Sequence, residues 1–134
     1  MTAPTRTATG VVITIDALDP KAARYAVLEL VAAELRREHR VIYLAQRREE
    51  ALSAMRSLID DGHLTQPEIE STRIGAGDLR VNHMWGGTAH FMSMRTGGYY
   101  RGNADAFVVA GSEHIPNEVW LRVPSGRVYV AASA

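Results

Sequence analysis

The sequence predicts a single small α/β domain built on a mixed sheet, and three observations point there. Hydrophobic residues make up 46% of the 134-residue chain, enough for one core and far too many for a disordered segment. Short β-branched runs alternate with stretches of helical spacing through the first sixty residues. After them, short apolar runs follow one another closely with glycines between, as in antiparallel strands.

Charge and composition narrow the classes. Basic and acidic residues both number 15, so the formal net charge is zero. That excludes a uniformly basic nucleic-acid binder, though not a local patch, and it mildly favours self-association. Lys21 is the single lysine, so the remaining basic residues are arginines. With no cysteine, neither a disulfide, a thiolate nucleophile nor a cysteine-ligated zinc site can form. No apolar run approaches the roughly 18 residues of a membrane span. The opening residues lack the apolar stretch of a signal peptide, so a cytoplasmic location is expected.

Residues 1–10 are small, polar and aperiodic and read as a flexible tail ahead of one domain at 11–134. Val11-Val-Ile-Thr-Ile-Asp16 reads as a strand buried on both faces. Asp19-Pro20 supplies a helix N-cap followed by proline at the first helical position. From there to about residue 38, Ala23, Val27, Leu28, Val31 and Leu35 form an apolar stripe, with Arg24, Glu34, Arg37 and Glu38 mostly off it. Val41-Ile-Tyr-Leu-Ala45 is a second buried strand. A second helix is predicted over 48–61, with Ala51, Leu52, Met55, Leu58 and Ile59 on one face and Gly62 as its stop. Strand, helix, strand is a βαβ unit, whose crossover should be right-handed with its strands parallel.

Three short strands are expected next, at 72–75, 79–85 and 88–94. Gly75-Ala-Gly77 reads as a bend, and Gly86-Gly87 as a two-residue hairpin turn. With that turn, His83 faces His90, Val81 faces Met92 and Leu79 faces Met94. Arg95-Thr-Gly-Gly-Tyr-Tyr-Arg-Gly102 is a glycine- and arginine-rich loop. Ala106-Phe-Val-Val-Ala110 and Arg127-Val-Tyr-Val-Ala131 are the last two strands. Residues 116–123 between them fit a short helix or a strand equally.

Several of these segments, taken in order, resemble the ATPase domain of phage large terminase subunits and, more broadly, helicase-like P-loop NTPases. Val41-Ile-Tyr-Leu-Ala-Gln46 is similar to that family's strand ending in Ala-Gln. His90-Phe-Met-Ser-Met-Arg95, running into the loop that ends at Gly102, resembles its strand leading into an Arg-Gly-rich loop. Asn103 to Pro116 falls where a Walker B strand would lie, and Val128-Tyr-Val-Ala-Ala-Ser133 resembles a later strand ending in a Ser/Thr motif. The resemblance implies a RecA-like P-loop NTPase-type mixed sheet with a βαβ start, flanking helices and an antiparallel hairpin insert.

The chemistry of that family is not matched. A P-loop needs glycines that let backbone N–H groups approach phosphate, a lysine for the outer phosphates, and a Ser/Thr for Mg²⁺. The corresponding Asp16-Ala-Leu-Asp-Pro-Lys-Ala-Ala23 has no glycine and places Ala22 after Lys21. Asp16 and Asp19 would repel a triphosphate, and Pro20 removes an amide donor. The Walker B carboxylates would fall on Ala110 and Gly111, with Glu113 two residues beyond.

The expected function is therefore a pseudo-ATPase, phage or prophage encoded, that binds a protein partner or forms a homo-oligomer. An alternative is a nucleic-acid or nucleotide phosphate binder without hydrolysis; a divergent ATPase ranks last. No catalytic residue, metal site or cofactor is assigned. Lys21 is the one candidate for a remnant nucleotide site, against an ordinary solvated lysine. Arg95, Tyr99, Tyr100 and Arg101 are candidates for nucleic-acid or partner contact, since arginines grip phosphate and tyrosines stack on bases; the alternative is a plain surface loop. A second arginine group, Arg36, Arg37, Arg40, Arg47 and Arg48, is interleaved with Glu34, Glu38, Glu49 and Glu50 and reads as a salt-bridged surface. His83 and His90 would give a metal only two ligands, so packed histidines beside Trp85 are expected there. Neither a Gly-x-Ser-x-Gly elbow nor a Gly-x-Gly-x-x-Gly turn is present.

Overall fold

Five parallel strands form the centre of the sheet, and their order explains where a site can lie. The computed structural model describes residues 5–6, 11–16, 19–75, 78–94, 104–112, 114–115, 119 and 126–134. In chain order the elements are β1 (Thr5–Arg6), β2 (Val11–Thr14), α1 (Pro20–Arg36), β3 (Arg40–Ala45) and α2 (Arg48–Asp60). A 3₁₀ turn (Gln66–Glu68) follows, then β4 (Ile69–Ile74), β5 (Leu79–His83), β6 (Thr88–Ser93), β7 (Ala106–Ala110) and β8 (Arg127–Ala131). The sheet order is β1-β2-β8-β7-β3-β6-β5-β4. Pairings from β2 through β8, β7 and β3 to β6 are parallel, while β1–β2, β6–β5 and β5–β4 are antiparallel. The chain is thus a small mixed-sheet α/β domain. β2 and β3 run parallel, but β7 and β8, from the last third of the chain, lie between them.

Both helices form where local spacing places them. α1 begins at Pro20 after an Asp19 cap, whose side chain accepts from the Lys21 N–H at 3.3 Å. α2 ends at Asp60, and Gly62 follows with φ 79, a backbone conformation glycine adopts freely. Val27, Leu28, Val31 and Leu35 of α1 and Ala51, Met55 and Leu58 of α2 bury against Tyr43, Phe91, Val81, Val108 and Tyr129. The opposite face buries Ile42, Leu44, Phe107, Val109, Val128 and Val130, with Val119 packed on them. This explains why β7 and β8 read as continuous apolar runs: central parallel strands lose both faces to the interior.

Three expectations need correction. The β5–β6 register is not that of a two-residue turn: Leu79 pairs with Phe91, Arg80 with His90, Val81 with Ala89 and Asn82 with Thr88, leaving five residues, 83–87, between the last paired positions. The shift is an odd number of residues, so it turns β6 over. Phe91 and Ala89 thereby face the helices, while Met92 and Met94 pack with the other cluster. His83 and His90 are consequently not opposed. The strand expected at 72–75 starts earlier, at Ile69, with an irregularity between Ile69 and Ser71. Glu34, expected off the apolar stripe, is 1% exposed; its charge is met by residues from β8, as described below. Within the segment read as a tail, Thr5–Arg6 pairs with Val12 and Val11.

Candidate functional site

In open sheets of this kind, ligands sit beyond the carboxyl ends of the parallel strands, where connections diverge. Here that edge is made by the residues after Thr14, Ala45, Ser93, Ala110 and Ala131. Ile15 continues β2 by donating its N–H to Val130 at 2.7 Å, and Gly111 donates to Ala131 at 2.9 Å. The Gln46 amide donates to the Gly111 carbonyl at 3.2 Å and ties the ends of β3 and β7. Gly111 has φ 78, and a Cβ there would lie 3.1 Å from Gln46 Cγ. Its backbone conformation and this contact both favour glycine. Ser112 follows, its hydroxyl accepting from the His114 N–H at 3.1 Å.

At the start of α1 three amide positions are already engaged or missing. Pro20 has no N–H, Lys21 donates to the Asp19 carboxylate and Ala23 donates to the Asp19 carbonyl at 2.9 Å. A helix N-terminus attracts negative charge, and the Asp19 side chain supplies it. Lys21 is exposed; together with Arg24, Tyr25, Leu28, Ser57 and Asp61 it lines a 350 Å³ groove between α1 and α2. Ala110, at the end of β7, is buried, and neither it nor Gly111 has a carboxylate. Arg95, Tyr99, Tyr100, Arg101 and Glu113, like the 116–118 and 120–123 stretches, lie outside the described residues.

The second arginine group is divided by the length of β3. Arg36, Arg37 and Arg40 lie near its start, and Arg47 and Arg48 follow its end. Arg47 pairs with Glu50 at 3.3 Å and Arg37 approaches Glu34 at 3.9 Å. Arg36 instead reaches Glu68 through Nε at 2.7 Å and a terminal nitrogen at 2.9 Å. Glu68 also accepts from the Thr65 N–H and hydroxyl and from His83 Nε2, each at 3.0 Å. His83 is buried, and its Nδ1 accepts from the Trp85 N–H at 3.1 Å. Both ring nitrogens are therefore used in packing the turn.

The polar cluster least visible in the sequence lies at the other edge. Glu34 accepts from Arg127 Nε and the Tyr129 hydroxyl, both at 2.9 Å, and its second oxygen meets His39 Nδ1 at 2.7 Å. Its position three residues after Val31 on α1 was the available signal, because that spacing returns to the buried face. Among the described residues no group of three or more His, Asp or Glu could hold a metal ion, and no helix is long and apolar enough to cross a membrane.

Strand order, parallel centre and helix placement define a small mixed-sheet α/β domain. A solved structure of a mutant ATPase domain from the large terminase of Thermus phage P74-26 is similar to this chain, with a TM-score of 0.60. The two are 14% identical; the match covers 94% of this chain and 60% of that one. The likeness is therefore one of fold, over somewhat more than half the length of that structure. No protein-family model matches the sequence, and no curated protein sequence matches it.

Proposed function

We propose that the chain is a non-catalytic domain on an ATPase-type fold, acting as a protein-binding or self-assembling module in a phage or prophage setting, within the bacterial cytoplasm. The observation behind this reading is the Asp19 carboxylate at the N-terminus of α1, in hydrogen bond with the Lys21 amide. A nucleotide phosphate would have to displace one negative group from a helix end that already lacks a donor at Pro20. The end of β7 adds a second mismatch, since Ala110 and Gly111 cannot hold Mg²⁺ or orient water. These residues do not fit a magnesium triphosphate, and no hydrolytic step is derived through one.

A second reading, phosphate binding without hydrolysis, draws on the α1–α2 groove, where Lys21 and Arg24 stand together. Calorimetric titration with Mg-ATP and with a short DNA duplex at two salt concentrations separates the readings. Silence toward both, with phosphate release at background, is the expected result. Salt-dependent DNA binding favours the second reading. Phosphate release that disappears in Lys21→Ala sinks the first.

A further inference from the structure

Among the described residues β4 is the outermost strand of the sheet, and residues 70–74 are all exposed. An edge strand keeps one row of backbone N–H and C=O groups outside any ladder. The two faces of this edge differ chemically. Thr72 and Ile74 pair with Val81 and Leu79 on the helix-covered side, and Ile74 is 57% exposed. Ser71 and Arg73 lie on the opposite side. There Arg73 stands directly across from Arg80, and Arg80 directly across from His90. Like charges opposed across strands cost stability. Among the described residues Asp78 serves the row, at 3.4 Å from Arg73, 3.6 Å from Arg80 and 3.9 Å from His90. The buried Arg80 Nε has no hydrogen-bond partner among the described residues.

We propose that the β4 edge is a strand-addition site for an extended segment of a partner protein, one that sets a carboxylate opposite Arg73 and an apolar side chain opposite Ile74. The inference gives a partner chemistry to the protein-binding reading and rests on it. A strand alternates its side chains between faces, so one acidic–apolar repeat satisfies both requirements while the backbone fills the open row. A second copy of β4 does not complement this edge. Two-fold antiparallel pairing brings like faces together, so in the registers that set Arg73 opposite Ser71 or another Arg73 no carboxylate stands directly across from it. Nucleic acid is a poorer match as well, because the row offers two arginines and an imidazole, where a firm phosphate grip rests on roughly 6–10 contacts.

The test uses the full chain and a labelled peptide of about eight residues in which glutamate alternates with valine, followed by fluorescence anisotropy. Four further probes are run: the same peptide N-methylated at alternate backbone nitrogens, a lysine–valine peptide, a short DNA duplex and light scattering for dimers. The acidic peptide is expected to bind, and Arg73→Glu to weaken it by about fivefold or more. Arg73→Glu should also bind the lysine peptide better than the parent chain does, a swap that mere loss of structure cannot produce. Ile74→Ser should weaken the acidic peptide as well, and methylation should abolish binding. Circular dichroism checks that both exposed-site variants remain folded. No binding of the acidic peptide, equal binding of the methylated one, or tighter duplex binding lost in Arg73→Glu would each overturn the inference. A dimer abolished by Ile74→Ser also overturns it, giving the edge to a second copy while leaving the protein-binding reading intact. Phosphate release that Lys21→Ala abolishes would instead remove that reading without altering the peptide result.

Discussion

Glu34 and Arg127, separated by 93 positions in the sequence, meet in an ion pair of 2.8 Å that fastens the end of α1 to the start of β8. The carboxylate is buried and the guanidinium partly exposed. Tyr129 and His39 occupy more of the Glu34 oxygens, which offsets the cost of taking the charge out of water.

Removing the carboxylate should be expensive because Arg127 and Tyr129 would keep their polar groups without an acceptor. Glu34→Ala is expected to cost about 2–4 kcal/mol. The check is a lower urea midpoint at an unchanged slope. Replacing Glu34 and Arg127 together by leucine should cost less than the two single changes added, because the pair is coupled.

Two tyrosines tie stability to alkaline pH. Burial pushes the Tyr43 hydroxyl up to about 12. Burial, with the neighbouring Glu34 charge, pushes Tyr129 up to about 12 as well. Both values exceed the ordinary 10.0, so the native state holds these protons more tightly than the unfolded chain. Their contribution is full below pH 10 and disappears as pH rises toward 12. Urea midpoints measured across that window should fall, and Tyr43→Phe should make the fall shallower.

Glu68 gives the opposite dependence at acid pH. The Arg36 guanidinium, foremost, and then Thr65 and His83 hold its carboxyl well below the usual range. A depressed carboxylate stabilises the fold above its ordinary value of 4.5, and that contribution is lost as pH falls below it. Glu68→Gln should lower the urea midpoint at neutral pH and reduce the further drop on acidification. An unchanged acid slope in the variant would count against this assignment.

Gly87 is needed for a close approach. A Cβ there would lie 3.0 Å from Leu35 Cα and closer still to its carbonyl oxygen, both backbone atoms that cannot step aside. Gly87→Ala is expected to cost about 2–4 kcal/mol. Gly75→Ala, where the nearest atom is the Asp78 carbonyl oxygen at 3.7 Å, should change stability by about 0.5 kcal/mol or less. Thermal melts of the two variants test the contrast.

Much of the fold was legible because its elements have local causes. The stripe from Ala23 to Leu35, the Asp19-Pro20 start and the Gly62 stop each rest on neighbours along the chain. The uninterrupted apolar runs at 41–45 and 106–110 announced strands buried on both faces. The hairpin register was not legible. Gly86-Gly87 suggested a tight turn, but the Trp85 amide bonds back to His83 and Gly87 presses on α1, so five residues, 83–87, separate the paired Asn82 and Thr88. At the candidate site, the Asp19 carboxylate and the lack of one at Ala110 and Gly111 could be read from residue types alone. The Arg73–Arg80–His90 row could not, since it exists only through two pairing registers.

Hydrophobic spacing along the chain placed α1, α2, most of the strands and the residues that line the interior, because each depends on a period of a few residues. Three-dimensional folding set the neighbours: β7 and β8 between β2 and β3, Arg127 on Glu34, Arg73 beside Arg80. Those choices compare alternative ways of burying distant segments and pairing distant charges, a competition that no local window of sequence contains.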